Sequence, residues 1–152
     1  MPLIAKNLEM ALAKFMDLKS STFDKFPETA ADAIEAIVDA VDKYASAVTP
    51  PSTAASSAKS AMKAKMQGLG DDEDGQKKME DGIMEYAKVL ATGMAPNTGQ
   101  APPAPLNLSP VAKMGENKGE SADIAKQIST LVDVYFKTGL AIPPSGPAIP
   151  WT

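Results

Sequence analysis

Residues 29–48 read TAADAIEAIVDAVDKYASAV. Ala30, Ile34, Ile37, Val41, Tyr44 and Val48 recur at alternating steps of four and three. On an α-helix that spacing gathers the apolar side chains into one stripe. Asp32, Glu35, Asp39 and Asp42 fall between them and predict an acidic, solvated opposite face. Thr49, Pro50 and Pro51 stop the helix, because proline lacks an N–H and its ring clashes with the preceding turn. The stripe is shorter than a free-standing coiled coil needs, so the segment reads as the central helix of an intramolecular bundle.

Working outward, Pro2 to Lys19 predicts a first helix with Ile4, Leu8, Leu12 and Phe15 on one face. Met10, Met16 and Leu18 widen that face, which calls for two covering neighbours, either from this chain or from a second subunit. Ser20 to Glu28 is a connection, with Phe26 placed as a hydrophobic staple and Pro27 in a first turn. Thr29, with Asp32 three residues on, has the form of a capping box. After the Pro stop, Ser52 to Gln67 predicts a third helix with a thin face of Ala55, Ala58, Met62, Met66 and Leu69. Its Lys59, Lys63 and Lys65 are placed to meet the acidic side of the central helix. A fourth helix from about Glu73 to Ala91 carries Met79, Ile83, Tyr86 (or Ala87), Leu90 and Met94. Gly82 inside it suits a close helix crossing, and Gly93 is the expected C-cap. Ala95 to Glu120 has no helical period and reads as a Pro-rich, partly polyproline-II arm. Ser121 to Lys137 is the last helix, with Ile124, Ile128, Leu131, Val134 and Tyr135 inward and Gly139 closing it. The tail LAIPPSGPAIPWT is extended.

The expected fold is therefore all-α: a bundle of about five helices with a long Pro-rich arm and an extended C-terminal tail. Residues 1–94 form a four-helix segment, 95–120 the arm, 121–139 a final helix on the same bundle, and 140–152 the tail, in one domain. A chain of 152 residues is long enough for such a core. Its few aromatics and many Ala and Met favour helical packing over a β-sandwich.

Composition narrows the chemistry. The chain has no Cys, no His and no Arg. A thiolate nucleophile, the commonest metal ligand, the commonest general base near neutral pH and the best bidentate phosphate contact are all missing. Net charge is −4, and the positive charge is scattered Lys, which argues against nucleic acid as a partner. The start of the chain lacks the basic leader and apolar run of a signal peptide, and no stretch approaches the ~20 apolar residues of a membrane span. Synthesis in the cytoplasm, without secretion by a signal peptide and without a membrane partner, is expected.

The acidic turn DDEDG at 71–75 invites a calcium-loop reading, with Asp72, Asp74 and Gly75 at positions three, five and six. Position one is then Gly70, with no side-chain oxygen, and position twelve is Asp81 rather than Glu, so a solvated helix start is the better reading. No G-x-S-x-G turn, phosphate loop or dinucleotide fingerprint occurs. No catalytic residue, cofactor, metal or small-molecule substrate is expected.

What stands out is apolar side chains on extended chain: Leu106, Leu108 and Val111 in the arm, and Ile142, Ile149 and the only tryptophan, Trp151, in the tail. These are the candidate interface residues. Trp151 either folds back on its own bundle or reaches a neighbouring subunit. Three helix ends also echo one another: DAVDKYASAVTPP, GIMEYAKVLATGMAP and LVDVYFKTGLAIPP each carry a Tyr, a small-residue break and a proline. Helix-stop chemistry alone accounts for that echo.

A short leading helix, the Ala-rich helix ending DAVDKYASAV, a Pro stop, Ala/Ser-rich helices, a Pro-rich arm and the ending VYFKTGLAIPPSGPAIPWT together resemble small structural proteins of tailed-bacteriophage virions. The resemblance implies a non-enzymatic head, neck, tail or baseplate subunit, located in the virion and present in many symmetric copies. Its partners would be other virion structural proteins and copies of itself. It carries no binding residues across. The alternative is a small soluble helical adaptor or chaperone that binds a partner through its widened first helix. On the virion reading, removing Ile142–Thr152 should leave the helices folded and abolish assembly.

Overall fold

The computed structural model describes residues 2–16, 29–67, 74–111 and 121–152. The expectations placed on Leu18, the Phe23–Pro27 connection, Leu69, the acidic turn before Asp74 and the end of the arm lie outside these residues.

Five helices form: α1 (Ala5–Met16), α2 (Ala30–Ala45), α3 (Ala55–Met66), α4 (Asp74–Thr92) and α5 (Ser121–Phe136). Packing runs in the order α5, α1, α2, α3, α4, and α3 with α4 is the most extensive pair. The Thr29 hydroxyl caps α2 as its sequence predicts: it accepts from the Asp32 N–H at 3.1 Å and donates to the Asp32 carboxylate at 2.8 Å. Helix α2 ends two to three residues before Val48, at Ala45 with Ser46 as C-cap. The turn that follows still buries Val48.

The inward stripe of α2 is Ile34, Val38, Val41, Tyr44 and Ala45, with Ile37 only half-buried and Ala30 exposed. The helix is rotated slightly from the expected register. That rotation brings Asp42 to the edge of the core and leaves Glu35 and Asp39 facing α3. Lys59 pairs with Asp39 at 2.6 Å, and Lys63 pairs with Glu35. The acidic face of α2 is thus shared with the basic face of α3, although such exposed pairs contribute only ~0–1 kcal/mol each. The close crossing of α3 and α4 has its cause at Gly82, where a Cβ would lie 2.7 Å from Met66 Cγ and 3.4 Å from Met62 Cγ.

The expectation for α4 holds with a different cause, and that for α5 changes. Among the described residues only Gly146 has positive φ, at 115°. Gly93, which follows Thr92 at the C-cap position as expected, therefore does not end the helix through left-handed backbone. Its small size serves instead the close approach of the 52–54 turn, where a Cβ would lie 2.7 Å from Ala54 Cβ. In α5 the buried set is Ile124, Ala125, Ile128, Val132, Tyr135 and Phe136; Leu131 is half-buried and Val134 is 60% exposed.

The bundle is not purely helical. The arm and the tail contribute a three-stranded antiparallel sheet, β1 (Thr98–Gln100), β2 (Leu140–Ile142) and β3 (Ile149–Pro150), in that spatial order. Thr98 faces Ile142 and Gln100 faces Leu140 across the first pair, while Ala141 faces Ile149 across the second. Such short strands gain little from their ladder and are held by what lies beneath them. Gly99 makes this possible, because a side chain there would run into the backbone of Ala91 at the end of α4.

Candidate functional site

The three helix ends that echo one another in sequence meet in space. All three tyrosines surround Phe136. The Tyr44 and Tyr135 rings each lie 5.7 Å from it at 88°, edge-to-face, and Tyr86 lies 6.3 Å away at 63°. These separations fall in the favourable range for aromatic pairs, each adding about 0.5–1.5 kcal/mol beyond simple burial. The Tyr44 hydroxyl donates to Asp133 Oδ1 of α5 at 2.8 Å, and the Tyr86 hydroxyl donates to Asp42 Oδ1 of α2 at 2.8 Å. Lys137 Nζ holds the other oxygen of Asp133 at 2.8 Å. Helices α4, α2 and α5 are therefore tied in series by two phenol–carboxylate bonds.

Burial, and then the hydrogen bond to Asp133, pushes the Tyr44 phenol far above its ordinary range. Burial and the bond to Asp42 do the same for Tyr86. Burial alone pushes Tyr135 up to about 12. The phenols are permanent hydrogen-bond donors at neutral pH, not groups poised to exchange protons.

The tail is seated on this cluster. After α5 the chain leaves as β2, turns through the exposed residues 144–147 and returns as β3. Trp151 is fully buried, with its ring 6.2 Å from Phe136. It lies directly over Gly139, where a Cβ would come within 2.5 Å of Trp151 Cε3 and 2.8 Å of Cε2. Gly139 also accepts the Trp151 N–H at 2.9 Å. Thr152 and Thr49 exchange both backbone bonds, at 2.8 and 3.1 Å, so the tail is stitched to the turn after α2. The indole N–H of Trp151 has no hydrogen-bond partner among the described residues. A buried unpaired donor costs about 1–3 kcal/mol.

The arm is seated separately. Leu106, Leu108 and Val111 are all buried. Glu80 of α4 fixes them: its Oε1 accepts the Leu108 N–H at 2.7 Å and a Gln76 Nε2–H at 2.8 Å. Val111 also lines an open groove of about 600 Å³ together with Ile124 and Leu131 of α5.

Of the six candidate interface residues, four are core of this chain: Leu106, Leu108, Val111 and Trp151. Ile142 is half-buried, and Ile149 is 41% exposed at the edge of the sheet. Most of the apolar surface of arm and tail is spent within the folded chain, Ile149 excepted, which changes the expected result of removing Ile142–Thr152. Without Trp151 the Phe136 cluster is opened, so that truncation costs stability as well as contacts. The sequence marked Thr49 as part of a helix stop and Gly139 as a helix end, but did not bring them together with Phe136 as one seat. The repeated Tyr, small residue and proline pattern was its only trace.

Among the described residues, no three His, Cys, Asp or Glu side chains converge as a metal ion would require. No helix there is long and apolar enough to cross a membrane. Comparison with protein-family models, curated proteins and solved structures finds no match.

Proposed function

We propose that this chain is a non-enzymatic structural subunit of a tailed-phage virion, working through packing against copies of itself and other virion proteins. The observation that carries the reading is the use made of extended chain. About two fifths of the described polypeptide lies outside helices, and most of its large apolar residues anchor it to a small helical base. Among the described residues its two outer strands, β1 and β3, each pair with one strand, β2. Pinned extended segments with open strand edges are a physical means of joining subunits. The sequence layout that resembles phage structural proteins supports the same reading.

The adaptor alternative relied on a widened face of α1. Leu3, Leu8 and Leu12 of that segment are buried within the chain, and α1 packs on α2 and α5. What this segment leaves outside is Met10, 50% exposed, beside Lys6, Asn7 and Lys14, and Ile4, expected inward but 45% exposed because it precedes the first residue of α1. This observation favours the structural reading.

Mass spectrometry of purified particles tests the proposal. Peptides of this chain at a copy number set by particle symmetry are the expected result; their absence from particles in cells that express the chain overturns it.

A further inference from the structure

We infer that the tail from Ile149 to Thr152 is an exchangeable plug, and that the same seat on a second copy of this chain accepts it. The inference deepens the structural-subunit reading and rests on it for its setting. It stands on how the chain divides plug from seat. Everything that receives the plug precedes residue 143: Thr49 after α2, Phe136 at the end of α5, Gly139, and the edge of β2. Everything inserted follows residue 148. Between them lies PPSGPA, half-buried only at Pro143 and exposed from Pro144 to Ala148.

This connector is suited to opening. Its three prolines have no N–H to bond, and they favour extended chain. β3 itself ends in Pro150, so of its two residues only Ile149 can donate to a ladder. The plug is therefore held by the Ile149–Ala141 ladder pair and by its last two residues: the Trp151 ring over Gly139, the Trp151 backbone N–H to Gly139, and the Thr152–Thr49 pair. Extended as polyproline II, the six connector residues reach roughly 19 Å. That is long enough to carry the plug to an adjoining copy, while the seat stays on the rigid end of the bundle.

The contacts in the closed and exchanged forms are the same. Their balance is set by the concentration of neighbouring seats against the effective concentration of the chain's own tail, on the order of millimolar for a short link. A dilute monomer stays closed. Copies packed side by side in an assembly exceed that threshold, and exchange then links each subunit to the next without any new surface.

The chain has no cysteine, which makes the test clean. Thr49 and Thr152 are both exposed, and they exchange both backbone bonds as an antiparallel pair does, with Cα atoms expected about 5.5 Å apart, within disulfide reach. The T49C and T152C variants are mixed at about 1 mM, near the effective concentration of a short link, and oxidised. T152C mixed with N7C, an exposed position on α1, gives the random-collision background. Tail exchange predicts a disulfide-linked heterodimer several-fold above that background, falling to background on hundredfold dilution. A yield equal to the N7C control at high concentration overturns the inference.

A second pair, A141C with I149C, sits at facing positions of β2 and β3 and gives the same readout without touching Thr49. Retained helical circular dichroism and buried-Trp emission establish that each variant is folded. A chain found in particles but giving only background crosslinking refutes exchange and leaves the structural role standing. A chain absent from particles refutes the role, whatever the crosslinking shows.

Discussion

Replacing Gly139 with alanine adds one methyl group under the Trp151 ring. That methyl would stand 2.5 Å from Cε3 and 2.8 Å from Cε2, well inside van der Waals contact. The ring cannot slide away freely, because the Trp151 N–H is bonded to Gly139 itself and Phe136 lies alongside. Burying a tryptophan removes about 150–250 Å² from water, worth roughly 4–6 kcal/mol at 25 cal/mol per Å². The unpaired indole N–H takes back about 1–3 kcal/mol. The seat is thus worth about 1–5 kcal/mol, and the upper end, about 5 kcal/mol, is the ceiling on what Gly139→Ala can cost by expelling the ring. If the ring shifts without leaving, overpacking costs about 1–3 kcal/mol. Loss of unfolded-chain freedom returns about 0.4–1 kcal/mol. The net expectation is a destabilisation of roughly 0–2.6 kcal/mol by these terms, centred on about 1.3 kcal/mol.

The assay is direct, since Trp151 is the only tryptophan. Emission of G139A should move toward the red, with helical circular dichroism retained and a lower urea midpoint. In a Trp151→Ala background the same Gly139→Ala change should cost nothing or stabilise slightly, because the clash has no partner. Unchanged emission with an unchanged midpoint in G139A, or equal costs in both backgrounds, refutes the seat.

Other predictions concern the ties between helices. Tyr44→Phe removes a phenol donor from the buried Asp133 and should destabilise by about 1.5–3 kcal/mol, read from urea unfolding. Tyr44, Tyr86 and Tyr135 all have folded pKa values raised above 10.0, so the folded state keeps protons that the unfolded chain releases. Their contribution is fully present below pH 10 and is lost as pH rises above it, by about 1.4 kcal/mol per pH unit for each phenol ionised only on unfolding. Tyrosinate absorbance near 295 nm should therefore appear together with unfolding, not before it. Glu80→Ala leaves the Leu108 N–H without its acceptor and should speed proteolysis within residues 101–111 while α4 stays helical. Gly82→Val drives a branched side chain into Met66 and should cost about 1–3 kcal/mol in the same unfolding assay.

Much of the fold was legible because it depends on local rules. Periodicity placed all five helices, Thr29 marked the start of α2, and Gly82 marked a close crossing. What resisted reading was rotation about the helix axis where the sequence is apolar on all sides. In LVDVYF, hydropathy puts Val134 inside and Asp133 outside, and the structure does the reverse. Asp133 tolerates burial because Tyr44, 89 residues away, and Lys137 satisfy its two oxygens. No local pattern encodes that long-range partner. The sheet was illegible for a related reason: strands of two or three residues carry no periodic signal, and they persist only because Trp151 and Gly99 fit the surfaces below. The apolar residues of arm and tail read as candidate interface residues; Leu106, Leu108, Val111 and Trp151 are buried within this chain, a placement that composition alone does not encode.

The most direct test of the central claim is quantitative mass spectrometry of virions purified from the source of this gene, with the unassembled cell fraction as reference. A structural subunit is predicted to co-purify with intact particles through salt washes, at a stoichiometry fixed to the other structural proteins. Recovery of the chain only in the particle-free fraction, as a stable monomer, would contradict the account.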